Sequence, residues 1–187
     1  MINIDDIVLA VIDHFNEQQI PYMIVGSLAT NVYCNPRSTE DGDFVVAANL
    51  AQLARDIRAR RGDVRFDPQM GFESVTGTQK IVLQIAGHAF DVEVFKLSDD
   101  EHDRMRFSRR VQVHIFDRDA WIASVDDMII TKLRWSQHAG REKDVSDARN
   151  LLLVQSDHID WPYVESWCDR HGTRELLEQL RTECEGE

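Results

Sequence analysis

The chain has 187 residues, 43% of them hydrophobic and 29% charged, with a formal net charge of −12. That length supports one sizeable core, or one core with a small helical appendage, and the composition excludes a disordered chain. The acidic balance argues against non-specific nucleic-acid binding, because a phosphate backbone is repelled at long range.

Taken in chain order, Ile4–Gln18 carries apolar residues at Ile7, Val8, Val11, Ile12 and Phe15, a helical stripe with Asp5 and Asp6 at its positive end. Pro21 stops it, and Tyr22–Val25 reads as a short buried strand. Gly26-Ser27 then leads into a helix over Leu28–Tyr33, and Asn35-Pro36 marks a turn. Asp43–Ala47 reads as a second strand, and Asn49 caps a helix closed by Arg60, Arg61 and Gly62. Four strands follow, Val64–Phe66, Phe72–Thr76, Lys80–Ile85 and Phe90–Phe95, separated by Gly71, Gly77 and Gly87; the middle pair reads as a hairpin at Gly77. A charged helix is expected over Asp99–Phe107 and a strand over Val111–Phe116.

From Ser124 the chain turns helical. Ser124 and Asp127 form a capping box, and further helices are expected over Glu142–Val154, Trp161–Arg170 and Thr173–Cys184. The order predicts a mixed α/β (α+β) fold: a mixed sheet flanked by helices over residues 1–123, with a C-terminal helical region, 124–187, packed on it.

No apolar run is long enough for a bilayer, and the start, Met-Ile-Asn-Ile-Asp-Asp, has neither the basic stretch nor the apolar core of a signal peptide. Cys34, Cys168 and Cys184 are odd in number and scattered, as reduced thiols would be. A cytoplasmic protein without membrane contact is expected. The histidines have no zinc-ligand spacing, and neither a Gly-x-x-x-x-Gly-Lys loop nor a Gly-x-Ser-x-Gly elbow occurs.

The chemistry concentrates in Val25-Gly26-Ser27 and in Arg37-Ser38-Thr39-Glu40-Asp41-Gly42-Asp43. Asp41 and Asp43 stand two apart on a segment becoming a strand, so both point to one face, about 7 Å apart. Two carboxylates on one small volume are costly unless a cation lies between them, and Mg²⁺ suits hard oxygen ligands while keeping places for phosphate and water. Gly26-Ser27, at a strand-to-helix turn, offers free N–H groups and a hydroxyl to a phosphate. Asp91 and Glu93 share a face of a later strand by the same period. Each feature also has a plainer reading: capping acids in a solvated turn for Asp41 and Asp43, an exposed sheet face for Asp91 and Glu93, and the solvent side of a helix for Lys132. Arg37 reads as structural, pairing with an acid to hold its loop.

Glycine-serine, a short helix and Asp-x-Asp on the next strand resemble the signature of the nucleotidyltransferase superfamily, the DNA polymerase β-like fold. Arg37-x-Thr39-x-Asp41-x-Asp43 is similar to a small bacterial branch that includes AbiEii-like proteins, with Gly42 standing where that family carries an apolar residue. Ser124–Leu133 and Arg141-x-Lys143-Asp144 resemble later segments of the same family, so the similarity spans about Tyr22 to Leu152.

The resemblance implies a Mg²⁺- (or Mn²⁺-) dependent nucleotidyltransferase. Asp41, Asp43 and a third acid, Asp91 or alternatively Glu93, would hold metal. Gly26, Ser27, Lys132 and Asp144 would serve the nucleotide, with Asp41, Asp43, Asp91 and Lys132 as the catalytic set. The implied partners are an NTP such as ATP and a hydroxyl acceptor on an RNA end, a protein side chain or a small molecule. The AbiEii likeness adds a toxin role with a cognate antitoxin. The alternative is a catalytically inactive nucleotide-binding or protein-interaction module on the same scaffold.

Overall fold

The computed structural model describes residues 4–60, 64–66, 71–85, 89–115 and 117–186. Arg61, Gly62, Gly87 and Phe116, invoked above, lie outside them. The chain divides into two compact units, one made of the chain up to Leu28 with Ser38–Ile122, the other of Ala29–Arg37 with the chain from Ala123 onward.

The first unit holds a mixed 8-stranded sheet. Its elements are α1 (Ile4–Glu17), β1 (Tyr22–Val25), the start of α2 (Gly26–Tyr33), β2 (Asp41–Val46), α3 (Leu50–Arg60), β3 (Val64–Phe66), β4 (Gly71–Phe72), β5 (Gln79–Ile85), β6 (Asp91–Lys96), α4 (Glu101–Ser108), β7 (Val111–Ile115) and β8 (Arg118–Ile122). The strands run β3-β5-β6-β2-β1-β8-β7, with β4 on β5. The β2–β6 and β1–β8 pairings are parallel, and the others are antiparallel.

The α1 stripe is buried as its period predicts, with Ile12 and Phe15 at 0% exposure. Phe15 packs against Tyr22 of β1 and Phe44 of β2, ring centroids 5.2 and 5.6 Å apart. Asn49 caps α3, its Oδ1 accepting from the Gln52 amide at 3.0 Å.

Two sequence expectations are corrected. The strand expected over Phe72–Thr76 ends at Phe72. Glu73 curls onto the chain ahead of it, accepting from the Val75 and Thr76 amides (2.5 and 2.7 Å), which turns those residues out of the ladder. The other correction is β8, which charge at Arg118 and Asp119 concealed; Asp117, at φ 59°, turns the chain into it, and Arg118 pairs with Asp13 of α1 at 2.7 Å.

The second unit is helical: the rest of α2, then α5 (Val125–Ala139), α6 (Glu142–Gln155), a short 3₁₀ turn, α7 (Trp161–His171) and α8 (Arg174–Glu185). Ser124 caps α5, its Oγ accepting from the Asp127 amide at 3.2 Å and donating to the Asp127 carboxylate at 2.6 Å. Gly140 and Gly172, at φ 59° and 70°, end α5 and α7 in the left-handed conformation. Met128, Ile129, Leu133, Ala148, Leu151, Val164 and Leu177 fill the core.

Among the described residues no helix is long and apolar enough to cross a membrane.

Candidate active site

Strand register, set by the hydrophobic pattern, decides where the acids go. On β2 the buried residues Gly42 and Phe44 alternate with the half-buried Asp41 and Asp43, and on β6 Val92 and Val94 alternate with Asp91 and Glu93. The strands are parallel neighbours, with Asp41 opposite Asp91 and Asp43 opposite Glu93. Four carboxylates therefore share one face at the starts of two adjacent strands, about 4.8 Å apart between strands. Farther along, the same face is covered at Val45 and Phe95, which are 3% and 8% exposed. Like charges directly opposite each other destabilise a sheet, so this arrangement favours a bound cation.

The neighbours of each acid differ. Asp41 accepts from the Thr39 hydroxyl at 2.9 Å and Asp91 from the Gln84 amide at 3.4 Å, both neutral donors. Glu93 is ion-paired with Lys80 of β5 at 2.8 Å. Asp43 stands opposite Val25 of β1, and its carboxylate lies against the turn that follows that strand. A Cβ placed on Gly26 would fall 2.0 Å from Asp43 Oδ2, and Gly26 has φ +62°, so both space and backbone conformation demand glycine. Gly26 opens α2 and Ser27 lies in its first turn, 4% exposed. The helix begins earlier than the sequence suggested, and its first N–H groups come from this turn.

Gly42 also has its reason. A Cβ there would meet Leu28 Cδ1 at 3.0 Å and Phe90 Cζ at 3.2 Å. Those two side chains occupy the volume that an apolar residue between the two acids would need.

Among the described residues no group of three or more His, Cys, Asp or Glu has metal-holding geometry. The donor set still fits Mg²⁺ or Mn²⁺, since such ions commonly take one or two carboxylates and complete their shell with water and substrate phosphate.

The second unit has a charged cluster of another kind. Lys132 of α5 reaches Asp144 and Asp147 of α6, each at 2.8 Å, with the side chains 9%, 5% and 3% exposed. Arg37 donates through Nε and Nη2 to Asp147 at 3.0 to 3.2 Å. Burial tends to raise the Asp147 pKa, but the hydrogen bonds from Arg37 and Lys132 outweigh it and hold the carboxyl below its ordinary value. Asp144 Oδ2 is buried with no hydrogen-bond partner. The acid expected to pair with Arg37 is thus Asp147. Lys80 and Asp147 were not singled out in the sequence as partners; only their basic and acidic character there could have suggested it.

No family model matches the sequence, and no curated protein matches it either. Solved structures do. An antigenic nucleotidyltransferase-like protein from Paracoccidioides brasiliensis aligns at TM-score 0.61 and 16% identity, over 94% of this chain and 90% of that one. ANT(2″)-Ia in complex with adenylyl-2″-tobramycin aligns at 0.62 and 14%, over 90% and 97%. The lincosamide antibiotic adenylyltransferase LnuA, lincomycin-bound, aligns at 0.51 and 12%, over 77% and 93%. At such identities the likeness is one of fold: the chain has the nucleotidyltransferase fold.

Proposed function

We propose that this chain is a Mg²⁺- or Mn²⁺-dependent nucleotidyltransferase, moving a nucleoside monophosphate from an NTP to a hydroxyl acceptor. The observation that carries the reading is the in-register pairing of Asp41 with Asp91 and of Asp43 with Glu93, with Asp43 packed on the Gly26 turn. Asp41, Asp43 and Asp91 are the proposed metal ligands. Asp91 is preferred to Glu93 as the third acid because Lys80 already neutralises Glu93.

A bound divalent ion would neutralise triphosphate charge and make the acceptor hydroxyl a better nucleophile. Gly26 and Ser27 offer the opening N–H groups of α2 to the phosphates. A bond forms between the acceptor oxygen and the α-phosphorus, the bond to the departing pyrophosphate breaks, and the hydroxyl proton passes to a carboxylate or to water. Lys132 and Asp144 are proposed, as the family resemblance implies, for the nucleotide's charge and orientation.

Two acceptor classes have support. The Arg37-x-Thr39-x-Asp41-x-Asp43 run favours an AbiEii-like branch, hence an intracellular toxin with an antitoxin partner and an RNA or protein target. The antibiotic adenylyltransferases of like fold favour a small-molecule hydroxyl. Incubation with each α-labelled NTP, Mg²⁺ and either total RNA, lysate protein or a panel of polyhydroxylated small molecules separates them by which species becomes labelled. Asp43→Asn is expected to lower transfer by roughly three decades, several kcal/mol of lost charge stabilisation. Full activity in that variant refutes the metal assignment. Mg²⁺-dependent NTP binding without labelling of any acceptor points instead to an inactive module.

A further inference from the structure

We propose that Lys80 is the resident counter-charge of the carboxylate face, holding Glu93 and so limiting that face to one divalent ion; this rests on the metal-binding reading above. Strand register lays the face out in rows. Asp41 of β2 stands opposite Asp91 of β6, and Asp91 opposite Gln84 of β5. One period on, Asp43, Glu93 and Val82 form a second row, and Val45, Phe95 and Lys80 a third. Rows lie about 7 Å apart along the strands, and neighbours about 4.8 Å apart across them. The four carboxylates thus form two facing pairs.

The pairs differ in what else reaches them. Asp41 and Asp91 draw on neutral donors, the Thr39 hydroxyl and the Gln84 amide. Glu93 receives a cation: Lys80 leans from the third row into the second, and its Nζ donates to Glu93 Oε1 at 2.8 Å. More than the ion pair places that ammonium. A Cβ on Gly71 of β4, directly across from Lys80, would fall 3.1 Å from Lys80 Cγ and 3.3 Å from its Cε, so the stem lies along bare backbone. Nζ also stands 5.6 Å from the centroid of the Phe95 ring. The two side chains are 28% and 25% exposed, a sheltered pair rather than the freely solvated kind that contributes little.

Charge gives the consequence. The four carboxylates carry four negative charges; Lys80 leaves three, and one divalent ion leaves one. A second divalent ion would turn the face positive and would have to displace a like-charged ammonium from Glu93. Without the charge of Lys80, Glu93 can join Asp43 in holding that second ion.

The test is the number of Mn²⁺ ions bound per full chain, read as loss of the free-ion signal in electron paramagnetic resonance. The wild type is expected to bind about one ion, and Lys80→Met about two. Lys80→Arg keeps the charge and should stay at about one; Lys80→Met combined with Glu93→Gln should return to about one, because a ligand of the added ion is gone. Two ions in the wild type, in Lys80→Arg or in the double variant, or one in Lys80→Met, overturns the role of Lys80 and leaves the metal reading standing. No binding in the wild type, or undiminished binding in Asp41→Asn, overturns the metal reading and the role of Lys80 with it. Should Lys80→Met not fold, Lys80→Gln removes the same charge while keeping a hydrogen-bonding head for Glu93, and one ion there refutes the role equally.

Discussion

The acids on the sheet face and those on α6 are chemically the same groups in opposite circumstances. Asp144 and Asp147 are buried and answered by Lys132 and Arg37 at hydrogen-bond distance. Asp41 and Asp91 are half-buried, stand opposite one another on neighbouring strands, and draw on a threonine hydroxyl and a glutamine amide. The first cluster balances its own charge. The second is left with charge that an outside cation can satisfy.

The contrast is broken most severely by removing one side of the balanced cluster. Lys132→Met leaves two carboxylates facing each other in the interior and is expected to cost about 3–5 kcal/mol by chemical denaturation. Asp43→Asn, by comparison, should leave the metal-free protein within about 0.5 kcal/mol of wild type or slightly more stable, since it relieves like-charge repulsion. Equal costs would erase the distinction between the two clusters.

Gly26→Ala comes next. A left-handed alanine costs about 1–3 kcal/mol, and its methyl would force the Asp43 carboxylate aside. Both melting temperature and Mn²⁺ affinity should fall, and wild-type values for both would show that the turn and the acid are not coupled.

The smallest effect sharpens the comparison by pH. Asp147 has a depressed pKa in the folded state, so its contribution to stability is complete above the ordinary carboxylate value, near 3.8, and is lost as pH falls through the folded value. Denaturation profiles on the acid side should therefore fall less steeply in Asp147→Asn than in the wild type. Parallel profiles would mean that the ion pairs add no pH dependence.

Local pattern and long-range pairing were unequally legible in the sequence. The acids were readable because period two within a contiguous strand puts Asp41 with Asp43, and Asp91 with Glu93, on one face without any knowledge of topology. Helix starts at Asn49 and Ser124 were readable because a cap is a local hydrogen bond. Which strand lies beside which was not. Lys80 meets Glu93 across 13 positions and Arg37 meets Asp147 across 110, distances that only the folded topology closes. The strand β8 escaped because two of its five residues are charged, and β4 was overdrawn because the pattern does not show Glu73 turning onto its own backbone.

The place of β8 has a consequence for how the polypeptide assembles. The sheet is not built in the order of synthesis: β1, complete by Val25, takes β2 on one side but must wait for Ile122 to receive its neighbour on the other. Until the ribosome has delivered that late segment, β1 is the edge strand of a partial sheet, with hydrophobic Met23 and Ile24 on it. Nascent chains of this topology are expected to fold slowly and to be vulnerable to intermolecular strand pairing, so chaperone dependence should track the emergence of β8 more closely than that of the acidic strands.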